Sequence, residues 1–154
     1  MVRILAPHQR NLAKLGVVMT YRIMIRSLYT QRLRNFEYDM IVGGYSQSMS
    51  PGNELRNMFH SQAADRTGSQ NYMGIKDPVV DALVENIIAA TSRDQLLVAC
   101  HALDRVLLHG DYLVPNWYIN KHRVAFWDKF SMPETLPLYY NPESWALQTW
   151  WVKQ

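Results

Sequence analysis

Apolar positions fall into a helical rhythm most clearly between residues 77 and 109. Asp77-Pro78 sets a capping side chain ahead of a proline at the first helical position. Val80, Leu83, Val84, Ile87 and Ile88 then recur at intervals that share one helical face, which predicts a helix to about residue 90. Ser92-Arg93-Asp94-Gln95 has the pattern of a capping box. Behind it Leu96, Ala99, Cys100, Leu103, Val106 and Leu107 carry a second stripe to about residue 109. Two amphipathic helices joined by a tight turn make an αα-hairpin.

The earlier third reads differently. Residues 7–15 predict a helix closed by Gly16 as its C-cap. Residues 17–25 are rich in β-branched and aromatic side chains and predict a strand. Ser27 can cap a short helix that spaces Tyr29, Leu33 and Phe36 on one face. Residues 38–43 predict a second buried strand. Strand, helix and strand in this order suggest a βαβ crossover with parallel strands. Residues 44–75 read as a loop interrupted by a short helix over 53–59. Beyond the hairpin, 112–119 predict a strand kept at an edge by Pro115. Residues 123–127 predict another, 131–147 an irregular excursion with Pro133, Pro137 and Pro142, and 149–152 a final short strand. The fold class expected is α/β, a mixed sheet with flanking helices and an αα-hairpin.

Composition narrows the function. Hydrophobic residues make up 48% and charged residues 19%, the proportions of a globular chain. The net charge of +3 is spread over Arg22, Arg26, Arg32, Arg34, Arg56, Arg93 and Arg123, with no concentrated patch of the kind nucleic acid needs. Cys100 is the single cysteine; it lies in an apolar helical stretch and is expected to be a buried, inert thiol. No apolar run is long enough to span a bilayer. The stretch after Met1-Val2-Arg3 lacks the apolar core of a signal peptide, so no signal peptide is expected in this chain.

Motifs of catalysis are missing. His8, His60, His101, His109 and His122 do not stand in a metal-ligand spacing, and one cysteine cannot build a zinc site. There is no Gly-x-Ser-x-Gly elbow and no phosphate-binding loop, and Gly43-Gly44 lacks the dinucleotide continuation. The expectation is therefore binding without a cofactor or metal, not an enzyme. Two other readings stand beside it. One is a small self-contained α/β enzyme with its site after residues 38–43. The other is an interaction module that uses the aromatic C-terminal third: Tyr112, Trp117, Tyr118, Phe126, Trp127, Tyr139, Tyr140, Trp145, Trp150 and Trp151.

Several phrases, in order, carry a resemblance. They are Arg10-Asn11-Leu12-Ala13-Lys14-Leu15-Gly16, Tyr29-x-x-Arg32-Leu33-Arg34-Asn35-Phe36-x-Tyr38-Asp39-Met40-Ile41-Val42-Gly43, and Ser48-x-Ser50-Pro51-Gly52-Asn53-Glu54. Ser69-x-Asn71-Tyr72-x-Gly74-Ile75-Lys76-Asp77-Pro78-Val79-Val80-Asp81 follows, then Ala102-Leu103-Asp104-Arg105-Val106-Leu107-Leu108, Val114-Pro115-x-Trp117-Tyr118 and Thr149-Trp150-Trp151-Val152. Together they resemble the C-terminal region of family 5 solute-binding proteins, in particular the YejA-like branch.

The resemblance implies a type II periplasmic-binding-protein lobe. Residues 1–130 would be most of the second lobe, lacking its N-terminal part, and 131–154 the segment returning to the first lobe. It also implies a missing strand before the first helix, hence an unpaired sheet edge. The implied partners are a peptide ligand, an ABC-transporter permease and the missing N-terminal lobe. The full-length parent would be periplasmic and only peripheral to the membrane. Ligands of open α/β sheets sit beyond the carboxyl ends of the strands, which points to the loop after 38–43. Candidate ligand contacts are Tyr45, Ser46, Gln47, Ser48, Asn53, Glu54, Asn71 and Tyr72. Relatives often place an aspartate in this loop to hold a peptide's amino terminus; here Gln47 stands near that position and the next acid is Glu54.

Overall fold

The helical hairpin forms as its caps dictate. In the computed structural model, which describes residues 2–116, 118, 123–135 and 142–153, α1 spans Val2–Lys14, α2 Arg26–Arg34, α3 Glu54–Phe59, α4 Pro78–Ile88 and α5 Arg93–His109. Asp77 Oδ1 accepts the Val79 N–H at 2.8 Å at the start of α4. Ser92 Oγ accepts the Gln95 N–H at 3.3 Å at the start of α5, and Gln95 Oε1 reaches back to the Thr91 N–H at 3.1 Å. Each bond satisfies a donor that the helix itself leaves unpaired.

The core lies where α3, α4 and α5 meet. Leu55, Met58 and Phe59 of α3, Ile75 of the loop before α4, Val80, Val84 and Ile87 of α4, and Leu103 of α5 form one buried cluster. Val80 and Val84 are completely buried. Arg56 clamps α3 to α4 through a bidentate pair with Glu85, its Nε donating to Oε1 at 2.6 Å. Cys100 is half-buried beside the cluster, and burial pushes its thiol pKa up against the opposing charge of Arg93. The thiol therefore stays protonated near neutral pH and is a poor nucleophile.

The parallel sheet does not form. Among the described residues the strands are β1 (Phe130–Ser131) and β2 (Trp151–Val152), antiparallel, with Phe130 opposite Val152 and Ser131 opposite Trp151. Residues 17–25 and 38–43 have no ladder partners and lie exposed: Val18 is 90% exposed and Ile23 75%. Their side chains favour strands, but a strand also needs a neighbour to exchange N–H and C=O bonds with. The crossover helix α2 buries none of its residues, so it lays no apolar face on a sheet.

Local boundaries shift as well. Helix α1 begins at Val2 and carries Pro7 inside it, where the ring removes the bond to the residue four before and crowds that carbonyl. Its end follows the sequence: Gly16, at φ +78°, lets the Val17 N–H bond to Leu12 O at 3.1 Å in a Schellman closure. The N-cap of α2 is Ile25 without a side-chain bond, and Ser27 lies inside the helix. Described residues of the 112–119 and 123–127 stretches form no strand. The expected excursion over 131–147 instead contains α6 (Pro142–Thr149), so the last strand contracts to Trp151–Val152. Trp117, Tyr139 and Tyr140 lie outside the described residues.

The chain exposes 12431 Å², whereas a compact monomer of its 18.0 kDa exposes roughly 8,000 Å². The excess comes with exposed apolar side chains outside the α3–α5 core, Leu147 and Trp127 among them.

Where α5 ends, the left-handed residue is Asp111 at φ +54°, not Gly110. Gly110 is required for another reason: a Cβ there would collide with the Tyr112 ring, which packs on the core. Gly110→Ala is therefore expected to destabilise the hairpin by about 1–3 kcal/mol, the usual cost of overpacking. Thermal unfolding followed by circular dichroism checks it.

Candidate functional site

The loop after residue 43 is held by aromatic side chains. Helix α2 ends with Phe36 in the left-handed region at φ +57° and the Glu37 N–H bonded to Arg32 O at 3.0 Å. A bulky residue pays about 1–2 kcal/mol for that conformation. The reversal brings Tyr38 against the next loop, where its phenol donates to Tyr72 O at 2.8 Å. Tyr45 does the same seven residues on, donating to Gln70 O at 3.1 Å. Its ring lies 5.3 Å from that of Phe59 and 6.1 Å from that of Tyr72, stacked on the latter at 29°.

The Tyr45 ring packs against two others while the residue stays 37% exposed, and its phenol pKa is pushed up to about 12, first by partial burial and then by the neighbouring Tyr72 and Tyr38. Burial likewise raises Tyr38. The sign follows directly. Between pH 10 and 12 the folded state keeps a proton that the unfolded state has lost, so stability is complete below pH 10 and falls as pH rises through that window. Ultraviolet titration should show one tyrosine ionising near pH 12 in the native protein, and Tyr45→Phe should remove that step.

The polar candidates divide into two groups. At the loop tip Glu54 Oε1 accepts from Gln47 Nε2 at 3.0 Å and from the Gly52 N–H at 3.0 Å. Backbone N–H groups, its own and that of Gly52, hold the carboxyl below its ordinary pKa, with Gln47 assisting. Glu54 opens α3 and is exposed. A carboxylate oxygen of Glu54 therefore stands 3.0 Å from the Gln47 amide nitrogen.

Ser46 and Ser48 are exposed, and Ser48 Oγ accepts the Ser50 N–H at 3.2 Å. Asn53 is engaged locally, its Oδ1 accepting from Arg56 at 2.7 Å. Arg93 fixes the loop to the start of α5 by donating to Met49 O at 2.6 Å.

Asn71 is different. It is fully buried, its Nδ2 donates to His60 O at 3.2 Å and Ile75 O at 3.0 Å, and its Oδ1 accepts the Ile75 N–H at 2.9 Å. Those bonds use both amide hydrogens and engage the oxygen, and with the side chain completely buried Asn71 shapes the loop and is closed to a ligand. The structure thus gathers Tyr45 with Tyr72 and Gln47 with Glu54, and turns Asn71 inward. Tyr38, Phe59 and Arg93 were missed from the sequence. Only the ring of Phe59, on a predicted helix, carried any local signal.

Two open depressions lie elsewhere, one between α4 and α5 beside Leu83 and Val98, the other along α2 between Arg26 and Arg34; none of the candidates lines either. No group of histidine, cysteine and acidic residues suited to a metal occurs among the described residues, and none of their helices is long and apolar enough to cross a membrane.

The loop thus holds two separate groups, an aromatic one at Tyr45, Tyr72 and Phe59 and a polar one at Gln47 and Glu54. No family model matches the chain. The "Probable peptide-binding protein YejA" of Agrobacterium fabrum is 42% identical over 147 residues, covering 94% of this chain and 24% of the relative. The "Peptidoglycan-binding protein YepA" of the same organism is 36% identical over 149 residues, 97% of this chain and 24% of that protein. "Uncharacterized protein YejA" of Escherichia coli is 37% identical over 146 residues, 94% of this chain and 23% of that protein. Over nearly its whole length the chain is homologous to YejA-like binding proteins, and it spans about a quarter of the length of these relatives.

Proposed function

We propose that the chain supplies one face of a peptide-binding cleft in a solute-binding protein that serves ABC-transporter import. The observation that carries this reading is its likeness to a relative named as a probable peptide-binding protein, 42% identical over 94% of the chain. In this reading Tyr45 and Tyr72 form an apolar wall for ligand side chains. Glu54 Oε2 takes a cationic group, and a charge-assisted bond there is stronger than a neutral one. Closure of two lobes about the ligand replaces covalent chemistry, so no enzymatic step, metal or cofactor is invoked. The parent would act outside the cytoplasmic membrane and hand its ligand to a permease. A glycan-linked peptide is the second reading, favoured by the name of the YepA relative.

Calorimetry tests the proposal. The chain alone is expected to bind short peptides weakly or not at all, since one face of a cleft buries too little ligand; micromolar binding would overturn the one-face reading. Adding the remaining portion of a full-length relative should produce peptide-dependent association. In a full-length context Glu54→Gln should weaken peptides with a free amino terminus roughly tenfold, about 1.4 kcal/mol, and leave acetylated peptides unchanged. Equal loss for both would exclude Glu54 as the cationic anchor.

A further inference from the structure

We propose that His60 is a positioning residue for the Tyr72 wall, and that its proton decides where that wall stands. His60 lies between α3 and the 3-10 turn Ser61–Ala63, with its side chain mostly buried. Nδ1 accepts the Gln62 N–H at 3.1 Å, which caps the turn. In the neutral ring the proton therefore sits on Nε2. The same Nδ1 faces Asp81 Oδ1 at 3.6 Å, too long for a hydrogen bond. That carboxylate oxygen is occupied by the Ser61 N–H at 2.8 Å.

One nitrogen thus faces a donor and an anion at once. Neutral, it accepts from Gln62 and presents a lone pair to Asp81. Protonated, it can no longer accept; it must release the Gln62 N–H and turn as a donor to Asp81. The two partners favour opposite protonation states, so the predicted response is a movement of the turn.

The other charged groups near the ring are Glu85 of α4 and Arg56 of α3, and these are engaged with one another. Glu85 is held low first by Arg56, with a smaller contribution from the charge of His60. The path to the wall is short: His60 O accepts from Asn71 Nδ2 at 3.2 Å, and Tyr72 follows Asn71 and stacks on Tyr45. The consequence for a ligand rests on reading Tyr45 and Tyr72 as a cleft wall; the movement itself does not.

The test is an NMR titration of the 15N-labelled protein between pH 5 and 8. The expected result is a neutral ring protonated on Nε2, and amide resonances of Gln62, Asn71 and Tyr72 that shift with the same midpoint as the imidazole. His60→Gln, which can accept from Gln62 at any pH, should silence those amide shifts; His60→Asn serves if that variant does not fold. Asp81→Asn keeps the acceptor for Ser61 and should remove most of the Tyr72 response. A proton on Nδ1 at neutral pH, or Gln62 and Tyr72 amides that ignore the His60 titration, would overturn the proposal. If the amides follow His60 while peptide affinity in the full-length relative does not, the joint stands and the wall assignment fails.

Discussion

Asn71→Ala is expected to destabilise the α3–α5 unit strongly. The substitution strips partners from His60 O, Ile75 O and Ile75 N–H in one step. Ile75 is itself 1% exposed, so water cannot replace the lost bonds without opening the core. A buried group left unsatisfied costs about 1–3 kcal/mol, and the strandings together come to about 3 kcal/mol or more. For a chain of this size that lowers the melting temperature by about 6–12 °C. Thermal unfolding followed by circular dichroism should show the midpoint lowered by that amount. Ser69→Ala is the milder comparison, since it removes a single hydroxyl, which donates to Ala63 O at 2.6 Å.

Phe59→Ala should have the next largest effect, and it reaches the candidate site. Phe59 is 9% exposed, belongs to the core cluster and supports the Tyr45 ring at 5.3 Å. Truncating a buried phenylalanine costs about 3–5 kcal/mol through lost transfer energy and the cavity left behind. Tyr45 would also lose one of the surfaces that bury it, so its phenol should ionise at lower pH. Phe59→Leu separates the two consequences: it fills most of the cavity but removes the ring. Near-wild-type melting with a lowered Tyr45 titration is expected for Phe59→Leu. An unchanged titration would mean that Phe59 does not shape the Tyr45 environment.

Much of this was legible in the residues. Asp77-Pro78 and Ser92 through Gln95 named both helix starts, because a cap is a bond between side chain and backbone two or three residues apart. Gly16 named a helix end for the same reason, its left-handed φ being a local demand. The irregular stretch after residue 43, broken by a short helix, was legible from Gly44, Pro51 and Gly52. What misled were residues 17–25 and 38–43. Their composition favours strands, but propensity is a one-body quantity and a sheet is a pairing. Helix α2 misled in a different way: Tyr29, Leu33 and Phe36 share a face, yet none of its residues is buried.

The sequence by itself determined the capped hairpin of α4 and α5, the apolar stripe that becomes the core, and the kinship with YejA-like binding proteins. Those follow from contacts a few residues long and from the order of short phrases. Only the tertiary structure decided that Asn71 faces inward, that Glu54 stands beside Gln47, that Tyr38 and Tyr45 are clasped to the Gln70–Tyr72 backbone, and that His60 meets Asp81. Each of those depends on where two separately formed segments come to rest, and that is set by packing around Val80 and Val84, not by any spacing along the chain.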